Sequence, residues 1–155
     1  MPINWSSDLD TGIPVIDHQH RRIVDFVNDL EAAQVLGDKK KIKSVIDDCV
    51  DYTISHFAFE ESMQVEANYP YCKPHKKVHE LFARKVAEYQ QRIELGDDVA
   101  ALSVELHNML CRWLINHIKH DDADYVASVK ANMKIETPPP TVEMKQKSWF
   151  RRLFG

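Results

Sequence analysis

Apolar side chains recur every three or four residues along most of the chain, the spacing that brings them onto one face of an α-helix. The first series predicts a helix that Asp17 caps and that runs to about Leu36, with Gly37 as its stop. Its inward positions are Ile16, Ile23, Val24, Val27 and Leu30. Residues 1–16 show no sustained period, so we expect an N-terminal arm there, anchored by Trp5.

Two further helices follow from the same pattern. Asp38 is suited to cap a second helix that continues to about Ala67. A turn rich in aromatic residues and proline comes next, and Pro74 is suited to the first position of a third helix. That helix is expected to stop at Gly96.

A fourth helix opens at Asp97 and Asp98 and continues or restarts through Val129. Short connections force successive helices to run antiparallel, so the pattern predicts an all-α, up-down-up-down four-helix bundle. We assign the bundle to residues 17–135. Residues 136–155 form a proline-rich linker and a basic, aromatic C-terminal extension.

Composition narrows the class of protein. The 155 residues are 44% hydrophobic and 28% charged with a net charge of −4, which gives no case for nucleic-acid binding. No apolar run approaches the roughly 20 residues of a membrane span, and the N-terminus lacks the features of a secretory signal. Three widely spaced cysteines indicate reduced thiols, so we expect a cytoplasmic protein.

Histidines and carboxylates interrupt the apolar faces of all four helices. Residues four apart on a helix differ by about 40° in direction and ~6 Å in height, so each such pair can converge on one metal or on two adjacent ones. The candidate ligands are His20, His56, Glu60, His75, His79, His117 and Asp122. A single histidine on an apolar face is more often a core residue, but seven buried polar groups without a metal would carry a severe desolvation penalty.

One pair does not fit an ideal helix. His117 and Asp122 are five residues apart, which places them ~140° out of phase. For both to point inward, Asp122 must use its reach or the helix must distort near residues 119–121.

Imidazoles and carboxylates suit iron, zinc or manganese. Seven ligands are too many for one tetrahedral zinc and suit two octahedral ions bridged by two carboxylates. The high proportion of histidine favours a site that holds dioxygen over one that generates strong oxidants.

Four segments then resemble the signatures of a known family. They are IDHQH at 16–20, HFAFEE at 56–61, HKKVH at 75–79 and WLINHIKHDD at 113–122. In order and spacing they look like the hemerythrin family, and in particular its single-domain bacterial members, the bacteriohemerythrins. The resemblance covers about residues 4 to 130.

The resemblance implies a centre of two iron ions with an oxo or hydroxo bridge, and dioxygen as its ligand. His75, His79 and His117 would saturate one iron. His20 and His56 would hold the other and leave one position open for dioxygen, and Glu60 and Asp122 would bridge the pair. The neighbouring carboxylates Glu61 and Asp121 are excluded as ligands by the family's spacing.

A closed apolar wall is expected around bound dioxygen, because water and protons must be kept away. The residues suited to this wall are Phe57, Trp113, Leu114 and Ile118. They are equally suited to plain bundle core. Tyr125, three residues after Asp122, could act as a hydrogen-bond donor behind the ligands or simply pack. Of the remaining histidines, His18 and His120 are expected at the surface, and His107 is assigned no role.

The favoured function is reversible dioxygen binding for storage, transport or delivery, by a monomer that is not an enzyme. A sensor of oxygen or redox state, or a di-iron enzyme with peroxidase or nitric-oxide reductase activity, is the alternative. No glutamate stands three residues before any histidine, which counts against ferritin-like oxidase chemistry. Residues 147–155 could dock on a protein or a membrane surface.

Overall fold

The computed structural model describes residues 2–134. The predicted extension at 136–155, with its docking role, lies outside that range, and the division of the chain into arm, bundle and extension stays a prediction. A 3₁₀ turn at Ser7–Leu9 precedes the helices. These are α1 (Pro14–Leu36), α2 (Lys39–Glu66), α3 (Cys72–Glu94), α4 (Val99–His117), a π-helical turn (Ile118–Asp122) and α5 (Ala123–Met133).

The helices form the predicted antiparallel four-helix bundle. Helix α1 packs against α2 and α4, and α3 packs against α2 and α4, while α5 extends α4 beyond the π-helical turn. The loops at Gly37 and Gly96 both join helices at the same end of the bundle. Each of these glycines has a positive φ, +66° and +96°, the left-handed conformation that ends a helix with little steric penalty.

Two of the predicted caps are confirmed. The Asp38 carboxylate accepts a hydrogen bond from the backbone N–H of Lys41 (3.0 Å), and that of Asp98 accepts one from Ala100 (3.2 Å). Each satisfies a backbone donor that has no partner within the first turn of its helix.

The predicted start of the first helix is wrong. Helix α1 begins at Pro14. Proline has no backbone N–H, so it leaves no donor unpaired at the start of a helix. Asp17 lies inside the first turn of α1. The buried Asp17 carboxylate instead accepts hydrogen bonds from the backbone of Thr11 (2.7 Å) and Gly12 (3.0 Å). Asp17 therefore ties the N-terminal arm to the helix and does not cap it.

Further contacts hold the arm. The backbone of Ile3 forms two hydrogen bonds with the Asn28 side chain (2.8 and 3.0 Å), and the Trp5 indole donates to Asp10 (2.9 Å). The start of the third helix also differs from the prediction. It begins at Cys72, so that Pro74 is its third residue, still within the first turn where proline displaces no hydrogen bond.

Of the two explanations expected for the step from His117 to Asp122, the structure shows the distortion of the helix. Residues Ile118–Asp122 form a π-helical turn, which holds one residue more than an α-helical turn. The extra residue returns Asp122 to the inward face, and both His117 and Asp122 are buried.

The apolar core occupies mainly the half of the bundle nearest the loops at Gly37 and Gly96. The buried side chains of this half include Leu30, Ala33, Ile42, Val45, Ile46, Val86, Ile93, Leu102 and Leu106. Among residues 2–134, no helix is both long and apolar enough to cross a membrane.

Candidate metal centre

All seven candidate ligands lie in the half of the bundle opposite those loops, and none is more than 5% exposed. Helix α1 supplies His20 near its start, and α2 supplies His56 and Glu60 in its last three turns. The remaining members of the set are His75 and His79 at the start of α3, His117 at the end of α4, and Asp122 at the end of the π-helical turn. The antiparallel arrangement brings these helix ends together.

Three imidazoles converge in one cluster with both carboxylates. Nε2 of His79 lies 3.1 Å from Nε2 of His75 and 3.0 Å from Nε2 of His117. Oε2 of Glu60 is 3.3 Å from the His79 nitrogen, and Oδ1 of Asp122 is 3.0 Å from that of His117. One ligand atom from each of the five residues lies within 4.8 Å of all the others.

A second cluster contains His20, His56 and Glu60, and it shares Glu60 with the first. Oε2 of Glu60 is 3.8 Å from Nε2 of His56. Asp122 also reaches both clusters, because its Oδ2 is 3.2 Å from Nε2 of His20 while its Oδ1 is 3.0 Å from Nε2 of His117 and 3.5 Å from that of His75. The two carboxylates therefore stand between a three-histidine cluster and a two-histidine cluster.

The buried polar atoms fit a metal. Both ring nitrogens of His20, Oε2 of Glu60 and both oxygens of Asp122 are buried without a hydrogen-bond partner; the 3.2 Å contact of His20 with Asp122 lacks hydrogen-bond geometry. Such atoms destabilise a fold unless something compensates for their lost hydration. Two ligand atoms that are each ~2.1 Å from one ion and 90° apart would be ~3.0 Å from each other, close to the separations among the three histidines.

The charge states also suit ligation. Burial lowers the pKa of His56 to about 4, so its imidazole is neutral at pH 7 and offers a lone pair. Burial by itself would raise the pKa of Glu60, but contacts with His75 and His79 hold it well below its usual range. Glu60 and His56 thus supply an ionised carboxylate and a neutral imidazole, donor types expected for a divalent or trivalent transition metal. Burial opposes protonation of His117, but its contacts with Asp122 raise the pKa of that imidazole.

Outer hydrogen bonds orient three of the rings. Nδ1 of His56 is 2.7 Å from the Gln19 amide oxygen, that of His79 is 3.0 Å from Glu61, and that of His117 is 2.9 Å from Asp121. Partners of this kind fix the ring orientation of metal-binding histidines and strengthen them as ligands. These three roles were not predicted from the sequence, although Asp121 stands four residues after His117, a spacing that permits the contact.

Tyr125 is fully buried, and its hydroxyl donates a hydrogen bond to Oε1 of Glu60. Of the two roles expected for Tyr125, the structure therefore shows the hydrogen-bond donor as well as packing. The bond leaves Oε2 of Glu60 directed at the histidines.

The four residues expected to wall the dioxygen site are divided between two places. The Phe57 ring stacks on His79, with ring centroids 3.8 Å apart, and Trp113 stacks on His117 at 4.3 Å. Leu114 and Ile118 instead pack with apolar residues of α1 that follow His20 by three and four positions. Of the remaining histidines, His18 and His120 are exposed as expected; His107 is buried, with its ring 3.7 Å from Sγ of Cys111.

A helical bundle that buries five imidazoles and two carboxylates in two linked clusters is a metal-binding protein. The family model described as the hemerythrin HHE cation binding domain matches residues 11–129. The chain therefore belongs to the hemerythrin family.

Similar proteins and a similar solved structure support the same family. Bacteriohemerythrins from Stenotrophomonas maltophilia and Pseudomonas aeruginosa are 51% and 50% identical over 129 residues, which is 83% of this chain and 82% of each relative. A bacteriohemerythrin from Methylococcus capsulatus is 27% identical over 124 residues, 79% of this chain and 93% of the relative. The solved structure of a hemerythrin variant is 25% identical with a TM-score of 0.75, and the match covers 83% of this chain and 98% of that one.

Proposed function

We propose that the chain binds dioxygen reversibly at a centre of two iron ions with an oxo or hydroxo bridge. His75, His79 and His117 would hold one iron and His20 and His56 the other, with Glu60 and Asp122 shared between them. The observation that carries this proposal is the unequal division of the histidines, with Glu60 and Asp122 each reaching both clusters.

The division of the histidines into three and two supports a free coordination position at the iron that His20 and His56 would hold. Iron commonly takes six ligands in such sites, and the cluster of His20 and His56 supplies one donor fewer than its neighbour. When bound, a pair of ferrous ions supplies the electrons with which dioxygen is held and takes them back on release.

The protein's own contribution is to orient donors and exclude water. Gln19, Glu61 and Asp121 fix three imidazole rings, and Tyr125 fixes Glu60. Leu114 and Ile118, packed beside α1, are the proposed wall on the side of His20. Phe57 and Trp113 stack on His79 and His117 and cover those two rings, which keeps water from the interior of the cluster.

We propose that the protein binds and releases dioxygen without catalytic turnover. This activity would serve the storage, transport or delivery of dioxygen. The cytoplasm is the proposed compartment, because Cys49, Cys72 and Cys111 are all free. A monomeric state, and docking through residues 147–155, stay predictions.

Anaerobic reduction followed by cycles of oxygenation and oxygen removal tests the proposal. We expect two irons per chain and a visible band that appears and disappears with dioxygen. His20→Gln is expected to lose the band, and His18→Gln, an exposed neighbour on the same helix, is expected to keep it. Binding of zinc without iron, or rapid irreversible oxidation at the first exposure, would contradict the proposal.

A further inference from the structure

An open cleft of about 310 Å³ lies at the surface beside the three-histidine cluster. Its walls come from the loop before α3, the first turns of α3, and the region where the π-helical turn meets α5. The residues that matter here are Tyr71, His75, Val78, Asp121 and Asp124. The cleft thus has two carboxylates at its rim and a candidate metal ligand in its wall.

His75 differs from the other four histidines of the centre. Nδ1 of His56, His79 and His117 is engaged by an outer partner. Nδ1 of His75 forms no hydrogen bond with any residue of the described range 2–134, although the residue is 95% buried. Nδ1 of His20 is also unpartnered, but that ring is fully enclosed, whereas the His75 ring lines the cleft.

The His75 ring also connects the cleft with the interior. Its Nε2 lies 3.6 Å from Oε2 of Glu60 and 3.5 Å from Oδ1 of Asp122, the two carboxylates shared by the clusters. The opposite edge of the ring carries the free nitrogen. A single side chain therefore separates the acidic cleft from both proposed bridging groups.

We propose that this cleft is the entry port through which the centre takes up its divalent metal ions. Asp121 and Asp124 attract the hydrated cation. In the metal-free protein, the His75 tautomer with its proton on Nε2 offers the Nδ1 lone pair to the first ion, which then passes to Glu60 and Asp122 inside. The second ion is guided by the two carboxylates alone, because Nδ1 keeps the proton once Nε2 is a ligand. This inference rests on the proposed function, because it requires that the buried clusters hold metal.

The cleft is a place of passage and not a further resident site. Within residues 2–134, the groups of three or more side chains able to hold a metal are the two interior clusters. Two carboxylates and one imidazole nitrogen that are not drawn together bind a cation weakly and release it readily, as an entry route requires. Carboxylates at the mouth of a cleft raise the local concentration of cations, and this effect weakens as salt screens it.

Stopped-flow uptake of Co²⁺ by the metal-free protein tests the port, with the visible absorption of bound cobalt as the readout. Asp124→Lys reverses a rim charge without touching a proposed ligand or its outer partner. We expect it to slow uptake about tenfold at low ionic strength, and the difference to shrink at high salt. The final stoichiometry should remain two per chain.

Two controls separate charge from access. Asp48→Lys makes the same change at an exposed position of α2, three turns and ~18 Å before Glu60, and should leave the uptake rate unchanged. Val78→Trp fills the cleft and should slow uptake at every salt concentration, while Met133→Trp, which faces a different surface groove, should not.

The outcomes distinguish the port from the centre. If wild-type protein takes up no cobalt, the proposed function and the port fail together. If two ions bind but Asp124→Lys and Val78→Trp load at the wild-type rate, the centre stands and the port is wrong. Uptake whose rate is independent of Co²⁺ concentration would equally overturn the port, because opening of the bundle would then limit entry.

Discussion

Tyr125 shows how much a single hydroxyl contributes at the residue scale. Its phenol donates to Glu60 where neither group is exposed to water. A hydrogen bond to a charged group contributes ~1.5–3 kcal/mol to stability, and an unpaired buried acceptor is destabilising. The pair therefore contributes to folding as well as to the orientation of Glu60.

Tyr125→Phe should lower the free energy of unfolding of the metal-free protein by ~1.5–3 kcal/mol, because Oε1 of Glu60 loses its donor. Urea denaturation followed by circular dichroism measures the change. Tyr69→Phe is the matched control, since Tyr69 is also buried but its hydroxyl forms no hydrogen bond within residues 2–134. Equal stability of Tyr125→Phe and wild type would show that the hydrogen bond contributes nothing.

Residue-level prediction from sequence worked where helical spacing carried the information. The seven candidate ligands could be selected because each interrupts an apolar face, and the structure brings all seven together; their roles as ligands stay proposals. The outer partners were not predictable in the same way. Glu61 and Asp121 adjoin candidate ligands in the chain, and their polar character alone does not distinguish an oriented partner from a solvated surface residue.

At the scale of elements, the turn after His117 was the most informative prediction. A five-residue step between two inward residues does not fit an ideal α-helix, so geometry required either a long reach of Asp122 or a distortion of the helix. The π-helical turn is that distortion. The start of α1 could not be found by the same reasoning. Asp17 looks like a helix cap in sequence, and its actual partners, the N–H groups of Thr11 and Gly12, depend on how the arm folds back.

The π-helical turn should be the part of the fourth helix that opens most readily in the metal-free protein. Its wider hydrogen-bond pattern is less stable than the α-helical pattern on either side. We expect amides of residues 118–122 to exchange with deuterium at least about tenfold faster than those of residues 106–114, and binding of metal to reduce the difference. Equal protection of both segments in the metal-free protein would contradict this expectation.

On the scale of the whole molecule, the candidate centre joins all four helices of the bundle. Metal that binds the folded chain and not the unfolded one adds stability that grows with its concentration, ~2.7 kcal/mol at 100 times the dissociation constant. It also supplies the partners that the buried atoms of His20 and Asp122 lack.

Removal of metal with a chelator should therefore lower the melting temperature, and Fe²⁺ or Co²⁺ should restore it. Mg²⁺ prefers oxygen ligands and serves as the control that should not restore it. Differential scanning calorimetry under anaerobic conditions measures both changes. A melting temperature that is insensitive to Fe²⁺, Co²⁺ and chelator alike would mean that the clusters hold no metal in the folded state.

The bundle itself was predictable from sequence because its loops are short and its apolar faces periodic. The packing of the arm was not predictable, since it depends on contacts between segments, such as that of Ile3 with Asn28, that leave no periodic signal.

The candidate ligands lie in one half of the bundle, while the largest apolar cluster extends through the other half. This arrangement has a consequence for how such a protein can change over generations. Substitutions around Ile42, Val45 or Leu102 alter how firmly the helices hold together but touch none of the side chains that face the candidate centre. A lineage that adapts to heat can therefore gain stability through substitutions in the apolar cluster while its candidate metal ligands stay unchanged. For the same reason, an engineer can first raise the stability of the bundle and then alter the candidate centre.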